Sequence, residues 1–381
     1  MNTLNHLICL ASFSGALTLI PAFTVMSELK PNDSELSRVL ASVGDSSLFN
    51  GSYTKRVEQA FDKSLSIRDF SVSAMAAVQY LIFSEGGDGV VVGKDEWLFS
   101  SEEFDQPANA DANIEANLAT VVAIDEYFKR KGITLVVAPI PAKARLLRGQ
   151  LNHRWSEARG DLYARMINHL HEGDVHVVDS YAAMKTVASD SLYFRLDTHW
   201  TPVGSHLVAD ATATYCDENT DVNLAQQSYQ TEVQKTSSLD GDLMNFIPLS
   251  PWFSRWGPEP EVFEQSRTYA QSDDLFSENP INTILVGTSY SADKRWNFSG
   301  FLKQALGREV ANYSAEGLGP YRPMYNLLNL SDALNDIDLV VWEIPERYLV
   351  QSYSEVTFTQ LLERNESVEI AVNDTVKIER F

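Results

Sequence analysis

Between residues 90 and 345 two kinds of hydrophobic segment alternate along the chain. Short unbroken apolar runs occur at Val90-Val91-Val92 with Trp97-Leu98-Phe99, Ile133 to Ala138, Val175 to Val178, Ile284-Leu285-Val286 and Leu339-Val340-Val341-Trp342. Runs of this length without polar alternation suit strands buried on both faces. Between them, Asn113 to Lys131 and Asp161 to His171 have amphipathic helical spacing. Thr201-Pro202 has the form of an N-cap followed by a first-turn proline, opening a helix to about Tyr215. Ser291 to Leu306 carries Phe298, Phe301, Leu302 and Ala305 on one side. Strands alternating with helices predict an α/β fold, a parallel sheet flanked by helices on both faces. Thr54 to Phe83 is also helical in period and is expected to pack on the main body. Gln226 to Pro280 shows no clear period and reads as a long excursion over the active-site face, whereas Asn365 to Phe381 reads as strands or a hairpin at the sheet edge. There is no internal repeat.

The first residues do not belong to that pattern. Leu7 to Val25 is an apolar run close to the roughly 20 residues of a membrane span, and no charged side chain precedes Glu28. The expected organisation is a signal anchor or signal peptide at 1–27, a polar linker at 28–53 and the main α/β domain at 54–381. An uncleaved anchor is the better reading, because no small-x-small cleavage site follows the run. The acidic stretch from Glu28 to Glu35 fits an exported body poorly disposed to a cytoplasmic face. Of 381 residues 44% are hydrophobic, enough for a sizeable core, and the net charge is -22. Such a balance argues against nucleic-acid binding, which depends on Lys and Arg to neutralise phosphates. With only Cys9 and Cys216 present, the exported body has one thiol, hence no internal disulfide and no cysteine-based zinc cluster.

Two short segments carry the candidate chemistry, Asp197-Thr198-His199-Trp200-Thr201-Pro202 and Gly287-Thr288-Ser289-Tyr290-Ser291. A hydroxyl becomes a useful nucleophile at neutral pH when an imidazole takes its proton and a carboxylate fixes the imidazole's tautomer. Ser289 follows an apolar strand and precedes a helix, the place where ligands gather in parallel sheets and where free helix N–H groups can face an oxyanion. Asp197 and His199, two residues apart in an extended segment, can pair through the near ring nitrogen. Each part has a plainer reading. Gly-x-Ser after a strand also describes a helix cap, a role for which Ser291 is as good a candidate, and an aspartate beside a histidine is often structural. Metal ligation by Asp and His lacks a supporting cluster, so no metal is expected. Trp200 reads as a core or pocket-wall residue and His206 as a surface one.

The same residues, with others in fixed order, resemble the alginate O-acetyltransferase family. The matching blocks are Gly89 to Phe99 with Glu102-Glu103-Phe104, Val136 to Arg145, Asp197 to Gly204, Val286 to Ser291, Glu316-Gly317-Leu318-Gly319-Pro320 and Val341 to Tyr348. Together they span roughly residues 89 to 348. The resemblance implies an SGNH-hydrolase-like fold in permuted order, with the Asp-His block ahead of the serine, and a triad of Ser289, His199 and Asp197. It further implies a periplasmic enzyme that moves acetyl groups onto an acidic polysaccharide without a cofactor, served by a membrane acetyl-donor protein and other polysaccharide-modification proteins. Since the chain ends soon after the closing strand, no separate carbohydrate-binding module is expected. Candidate oxyanion or substrate groups are the Ser289 N–H, Gly319, Tyr321 and Asn297. Lys143 and Arg145, just past a strand end, are candidates for contact with a polymer carboxylate. The alternatives are an esterase using the same triad and a noncatalytic subunit of a polysaccharide-export complex.

Overall fold

A computed structural model of the chain describes residues 38–39, 51–64, 68–152, 155–224, 227–271, 281–330, 333–353, 358–362 and 364–365. The apolar run Leu7 to Val25, most of the expected linker and residues 366–381 lie outside them. Among the described residues no helix is long and apolar enough to cross a membrane. By packing, the chain divides into residues 1–83 with 247–257, and residues 84–246 with 258–381. The second unit thus starts about thirty residues after the expected domain start at 54.

In the first unit, α1 (Ser52–Ser64) and α2 (Arg68–Val78) are followed by a π-helical turn at Gln79–Phe83. The Phe70 ring lies 5.7 Å from Trp252 and 5.8 Å from Phe253. The Ser73 hydroxyl donates to the Ser250 carbonyl at 3.1 Å.

The second unit begins with a hairpin of β1 (Val90–Val92) and β2 (Leu98–Ser100). Next come α3 (Ala110–Arg130), β3 (Thr134–Ile140), the single turn α4 (Lys143–Leu146), α5 (Glu157–Glu172), β4 (His176–Val177), the short α6 (Ser180–Met184) and α7 (Pro202–Asn219). A long antiparallel hairpin, β5 (Tyr229–Leu239) and β6 (Glu261–Ala270), leads to β7 (Ile281–Val286). The chain continues through α8 (Ser289–Ala292), α9 (Phe298–Leu306), β8 (Glu309–Asn312), α10 (Tyr321–Leu328) and β9 (Leu339–Pro345).

The central sheet runs β4-β3-β9-β7-β8 with every pairing parallel. Its continuous apolar strands feed two cores at once, because successive side chains leave opposite faces. Val136, Ala138, Leu285 and Val341 enter one core with Val208 and Ala209 of α7 and Phe301, Leu302 and Leu306 of α9. Leu135, Val137, Ile284, Val340 and Trp342 enter the other with Leu118, Val121 and Ile124 of α3, Met166 of α5 and Met324 of α10. Burying one such Leu or Val side chain is worth about 1.5–3 kcal/mol, so both faces of the sheet are strongly specified.

Three local expectations change. Val90 to Phe99 forms an antiparallel hairpin apart from the sheet, because Gly93 to Trp97, with Asp95 and Glu96 at positive φ, is far too short for a parallel crossover. The helix expected at Ser291 to Leu306 breaks into α8, a 3₁₀ turn at Lys294–Trp296 and α9, since Asn297 takes φ 53°. The described part of 226–280 is largely the β5-β6 hairpin, with 247–257 belonging to the first unit.

Candidate active site

The loop bearing Asp197 and His199 is pinned at its neck. Tyr193 and Trp200 form an antiparallel bridge, and the Phe194 N–H donates to the His199 carbonyl at 3.2 Å. Beyond it, Thr201 caps α7, its hydroxyl accepting from the Gly204 N–H and donating to the Ser191 carbonyl. From below, the buried Lys143 ammonium donates to the carbonyls of Leu98, Arg195 and Asp197. Asp242, in the turn after β5, closes the other side. Its carboxylate accepts from the Thr198 N–H at 2.7 Å, and its own N–H donates to Asp197 Oδ2 at 3.0 Å.

The turn bearing Ser289 leaves the carboxyl end of β7. Gly287 is required there, because a Cβ would stand 2.4 Å from Glu343 Oε2 and 2.9 Å from Ser291 Oγ. Thr288 is the N-cap of α8, its hydroxyl accepting from the Tyr290 N–H, and Ser289 is the first helical residue. The whole turn rests on Glu343 of β9. That carboxyl accepts from the Thr288 N–H at 2.7 Å, the Thr288 hydroxyl at 3.0 Å and the Ser291 hydroxyl at 2.9 Å. Ser291 is therefore neither cap nor nucleophile candidate in this geometry; it anchors the turn.

The two segments meet in a chain of short hydrogen bonds. Asp197 Oδ1 lies 2.6 Å from His199 Nδ1, and His199 Nε2 lies 2.7 Å from Ser289 Oγ. A carboxylate can only accept, so Nδ1 carries the ring proton and Nε2 is left to accept from the serine hydroxyl. The imidazole is fixed between the Trp296 ring, stacked at 5.5 Å, and the Tyr290 ring at 4.9 Å. Tyr290 is locked in turn, its hydroxyl donating to the Thr198 carbonyl at 2.6 Å and accepting from Arg347 at 2.9 Å.

Electrostatics support these roles. Burial alone would raise the Asp197 carboxyl, but hydrogen bonding and charge from His199, with two backbone N–H donors, bring it below the ordinary value. Asp242, 3.8 Å from His199 Nδ1, moves the other way, raised by burial and by the neighbouring Asp197 charge. Burial likewise raises the Glu343 carboxyl despite its three donors. Burial pushes Lys143 down to about 8, partly offset by Glu103. Asp197, His199 and Asp242 bring ligand-type atoms within 4.8 Å of one another. Both Asp197 oxygens and His199 Nδ1 are already committed to one another and to backbone N–H groups, an arrangement suited to moving a proton rather than to ligating a metal.

The other candidates lie elsewhere. Lys143 has no exposed surface, and Arg145 is buried in a bidentate pair with Glu346 at 2.6–2.7 Å, also donating to the Arg159 and Gly160 carbonyls. Neither is turned to a polymer; both fasten the segment after β3 to its neighbours. Tyr321 is core, packed against Trp342, Tyr353 and Phe358. Gly319, at φ 64°, serves a turn in which a Cβ would stand 2.7 Å from the Tyr353 hydroxyl. Asn297 follows Trp296 in sequence, and its amide donates to Thr268 Oγ1 at 3.1 Å, tying the start of α9 to β6. Asp242, Glu343, Tyr290 and Arg347 were not singled out by sequence reasoning. Of these, Glu343 and Arg347 stand within the quoted block Val341 to Tyr348, where a carboxylate in an otherwise apolar strand was the available signal.

Comparison with known proteins bears on the domain as a whole. Residues 90–346 match the family model described as an SGNH hydrolase-like domain, acetyltransferase AlgX. A probable alginate O-acetylase AlgJ of Pseudomonas fluorescens is 38% identical over 323 residues, covering 80% of this chain and 79% of its own. The Pseudomonas aeruginosa protein of the same description is 36% identical over 324 residues, covering 81% of this chain and 83% of its own. Among solved structures, the O-acetyltransferase domain of Pseudomonas putida AlgJ superposes with TM-score 0.66 at 36% identity, covering 73% of this chain and 99% of that one. Pseudomonas aeruginosa AlgX, at 20% identity and TM-score 0.54, shares the fold.

Proposed function

We propose, since this chain belongs to the SGNH hydrolase-like acetyltransferase family, that it acts as an O-acetyltransferase through Ser289, His199 and Asp197. The chain is an acetyltransferase by that membership; the residue roles and the acceptor are our reading. The observation that carries it is the unbroken sequence Asp197 Oδ1, His199 Nδ1, His199 Nε2 and Ser289 Oγ, with contacts of 2.6 and 2.7 Å.

In this scheme His199 Nε2 takes the Ser289 proton as the oxygen attacks the carbonyl of an acetyl donor. The imidazolium, stabilised by Asp197, returns that proton to the departing donor group, leaving an acetyl ester on Ser289. A sugar hydroxyl then loses its proton to the same nitrogen, attacks the ester and carries the acetyl group away, while His199 restores the serine hydroxyl. The Ser289 N–H, at the start of α8, is a backbone donor suited to the oxyanion. The acceptor is an acidic polysaccharide, alginate or a close analogue, as the names of the relatives suggest. The apolar run Leu7 to Val25 supports export with anchorage in the inner membrane, and hence a periplasmic site supplied with acetyl groups by a membrane partner.

Full-length protein incubated with an activated acetyl ester, with and without oligouronate, tests this. We expect acetylated sugar at the expense of free acetate, and loss of both products in Ser289→Ala. Rapid acetate release with no acetylated sugar would make the protein an esterase, and a Ser289→Ala variant that still transfers acetyl would remove the serine from the mechanism.

A further inference from the structure

Beside the nucleophile turn opens a groove of about 570 Å³, bounded by the β5-β6 hairpin on one side and by the 3₁₀ turn and α9 on the other. Its size is that of sites for small ligands or a few units of a polymer, roughly 300–1,000 Å³. Its lining includes Ser291, two residues past the nucleophile candidate, but not Ser289 itself.

The charge of this groove is opposite to that of the chain. In a molecule of net charge -22, the groove is lined by Lys235 and Arg267 from the hairpin and by Lys294 and Lys303 from the facing wall. Its one carboxylate, Asp293, is paired with Arg295 at 2.6 Å. Lys303 is paired with Glu309, leaving Lys235, Arg267 and Lys294 exposed and without an ion pair among the described residues. Arg267 is positioned by the Tyr269 ring, 5.2 Å from its guanidinium carbon. Between the cations stand neutral hydrogen-bonding groups, including Gln265, Ser266 and Asn297. Spaced cations interleaved with amides and hydroxyls match a chain whose repeating unit carries one carboxylate and several hydroxyls.

We infer that this groove is the acceptor subsite, holding uronate carboxylates on Lys235, Arg267 and Lys294 while a neighbouring sugar hydroxyl reaches Ser289. The inference rests on the proposed transferase reading and adds the residues that select a polyanionic acceptor. They are specificity residues, since none touches Ser289, His199 or Asp197 in the structure.

The test is equilibrium binding of a fluorescently labelled oligouronate to full-length Ser289→Ala protein, in which no turnover occurs. Against that background, Lys235→Gln, Arg267→Gln and Lys294→Gln combined should weaken binding about tenfold, the sum expected of three exposed charge pairs. The affinity of the starting protein should fall more steeply with salt than that of the substituted one. Lys235→Arg with Lys294→Arg should retain binding, which separates charge from folding. Unchanged affinity in the triple glutamine variant, or equal affinity for a neutral oligosaccharide of the same length, would overturn the inference. Acetyl-ester hydrolysis by the wild-type protein reports separately on the catalytic reading: its absence would count against the triad, not the groove.

Discussion

The two segments that meet at the His199–Ser289 hydrogen bond are held by opposite electrostatics. The Asp197–His199 loop is supported by charge, with a buried ammonium on three carbonyls beneath it and an ionised carboxylate at its centre. The Ser289 turn is supported by a buried carboxyl, Glu343, that receives only an amide and two hydroxyls and forms no ion pair among the described residues. The difference fits what the proposed mechanism asks of each side. In that mechanism the histidine side stabilises an imidazolium, for which a fixed negative charge is suited. The serine side faces a developing oxyanion, and a full negative charge beneath it would oppose that development; a carboxyl raised towards its neutral form avoids the conflict.

Removing either partner of the His199–Ser289 hydrogen bond, or the carboxylate behind it, should have the largest effect. Ser289→Ala or His199→Ala should lower acetyl transfer by about 10⁵–10⁶-fold with little change in melting temperature. Asp197→Asn, which disturbs the tautomer but not the shape, should cost about 10⁴-fold in kcat. Steady-state kinetics with the acetyl ester would show both, and an Asp197→Asn enzyme near wild-type activity would break the comparison.

On the serine side, Glu343→Ala should destabilise the protein by about 3 kcal/mol in denaturant unfolding, because it strands three buried donors, and should lower kcat by roughly 10²-fold. Glu343→Gln, which keeps an acceptor without a charge, should retain kcat within about threefold. Loss of activity in Glu343→Gln as deep as in Glu343→Ala would mean that the ionised form is needed there.

Lys143→Met should be milder, about tenfold in kcat and roughly 1–3 kcal/mol in stability, as it leaves three carbonyls without their donor but removes a costly buried charge.

The smallest effect sharpens the comparison most. Glu343 has its folded pKa raised by burial, so the folded state holds that proton more tightly than the unfolded chain. Its contribution therefore falls as pH rises from the ordinary value of 4.5 through the folded one. Asp197 has a lowered pKa, so its contribution is complete above 3.8 and is lost as pH falls through its folded value. Unfolding free energies measured from pH 3 upward should show Glu343→Gln reducing the downward slope above about pH 4.5, to which the raised Glu103, Asp125 and Asp242 also contribute, while leaving the acid limb below pH 3.8 in place.

What could be read without the structure followed local rules. The apolar runs at 133–138, 284–286 and 339–342 pointed to the parallel sheet, and Thr201-Pro202 to the start of α7, because each signal is contained in a few adjacent residues. The edge strand β8 escaped notice because Glu309-Val310-Ala311-Asn312 needs only one buried face. The β5-β6 hairpin escaped for a related reason: most of its side chains are exposed and leave no period to detect. In the site, Asp197, His199 and Ser289 were legible as chemistry, whereas Lys143 and Arg145 were misplaced. Position after a strand end suggested solvent, but their carbonyl and Glu346 partners come from distant parts of the chain. Asp242 and Glu343 could not be assigned by local pattern because their partners lie 44 and 55 residues away in sequence.

The most direct test of the account is peptide-level mass spectrometry of the full-length protein after brief exposure to an activated acetyl ester and acid quench. The account predicts a single acetyl group on the peptide bearing Ser289, absent in His199→Ala and discharged when oligouronate is added before the quench. Acetyl transfer to oligouronate proceeding with Ser289 never acetylated, or with the adduct on another residue, would contradict it.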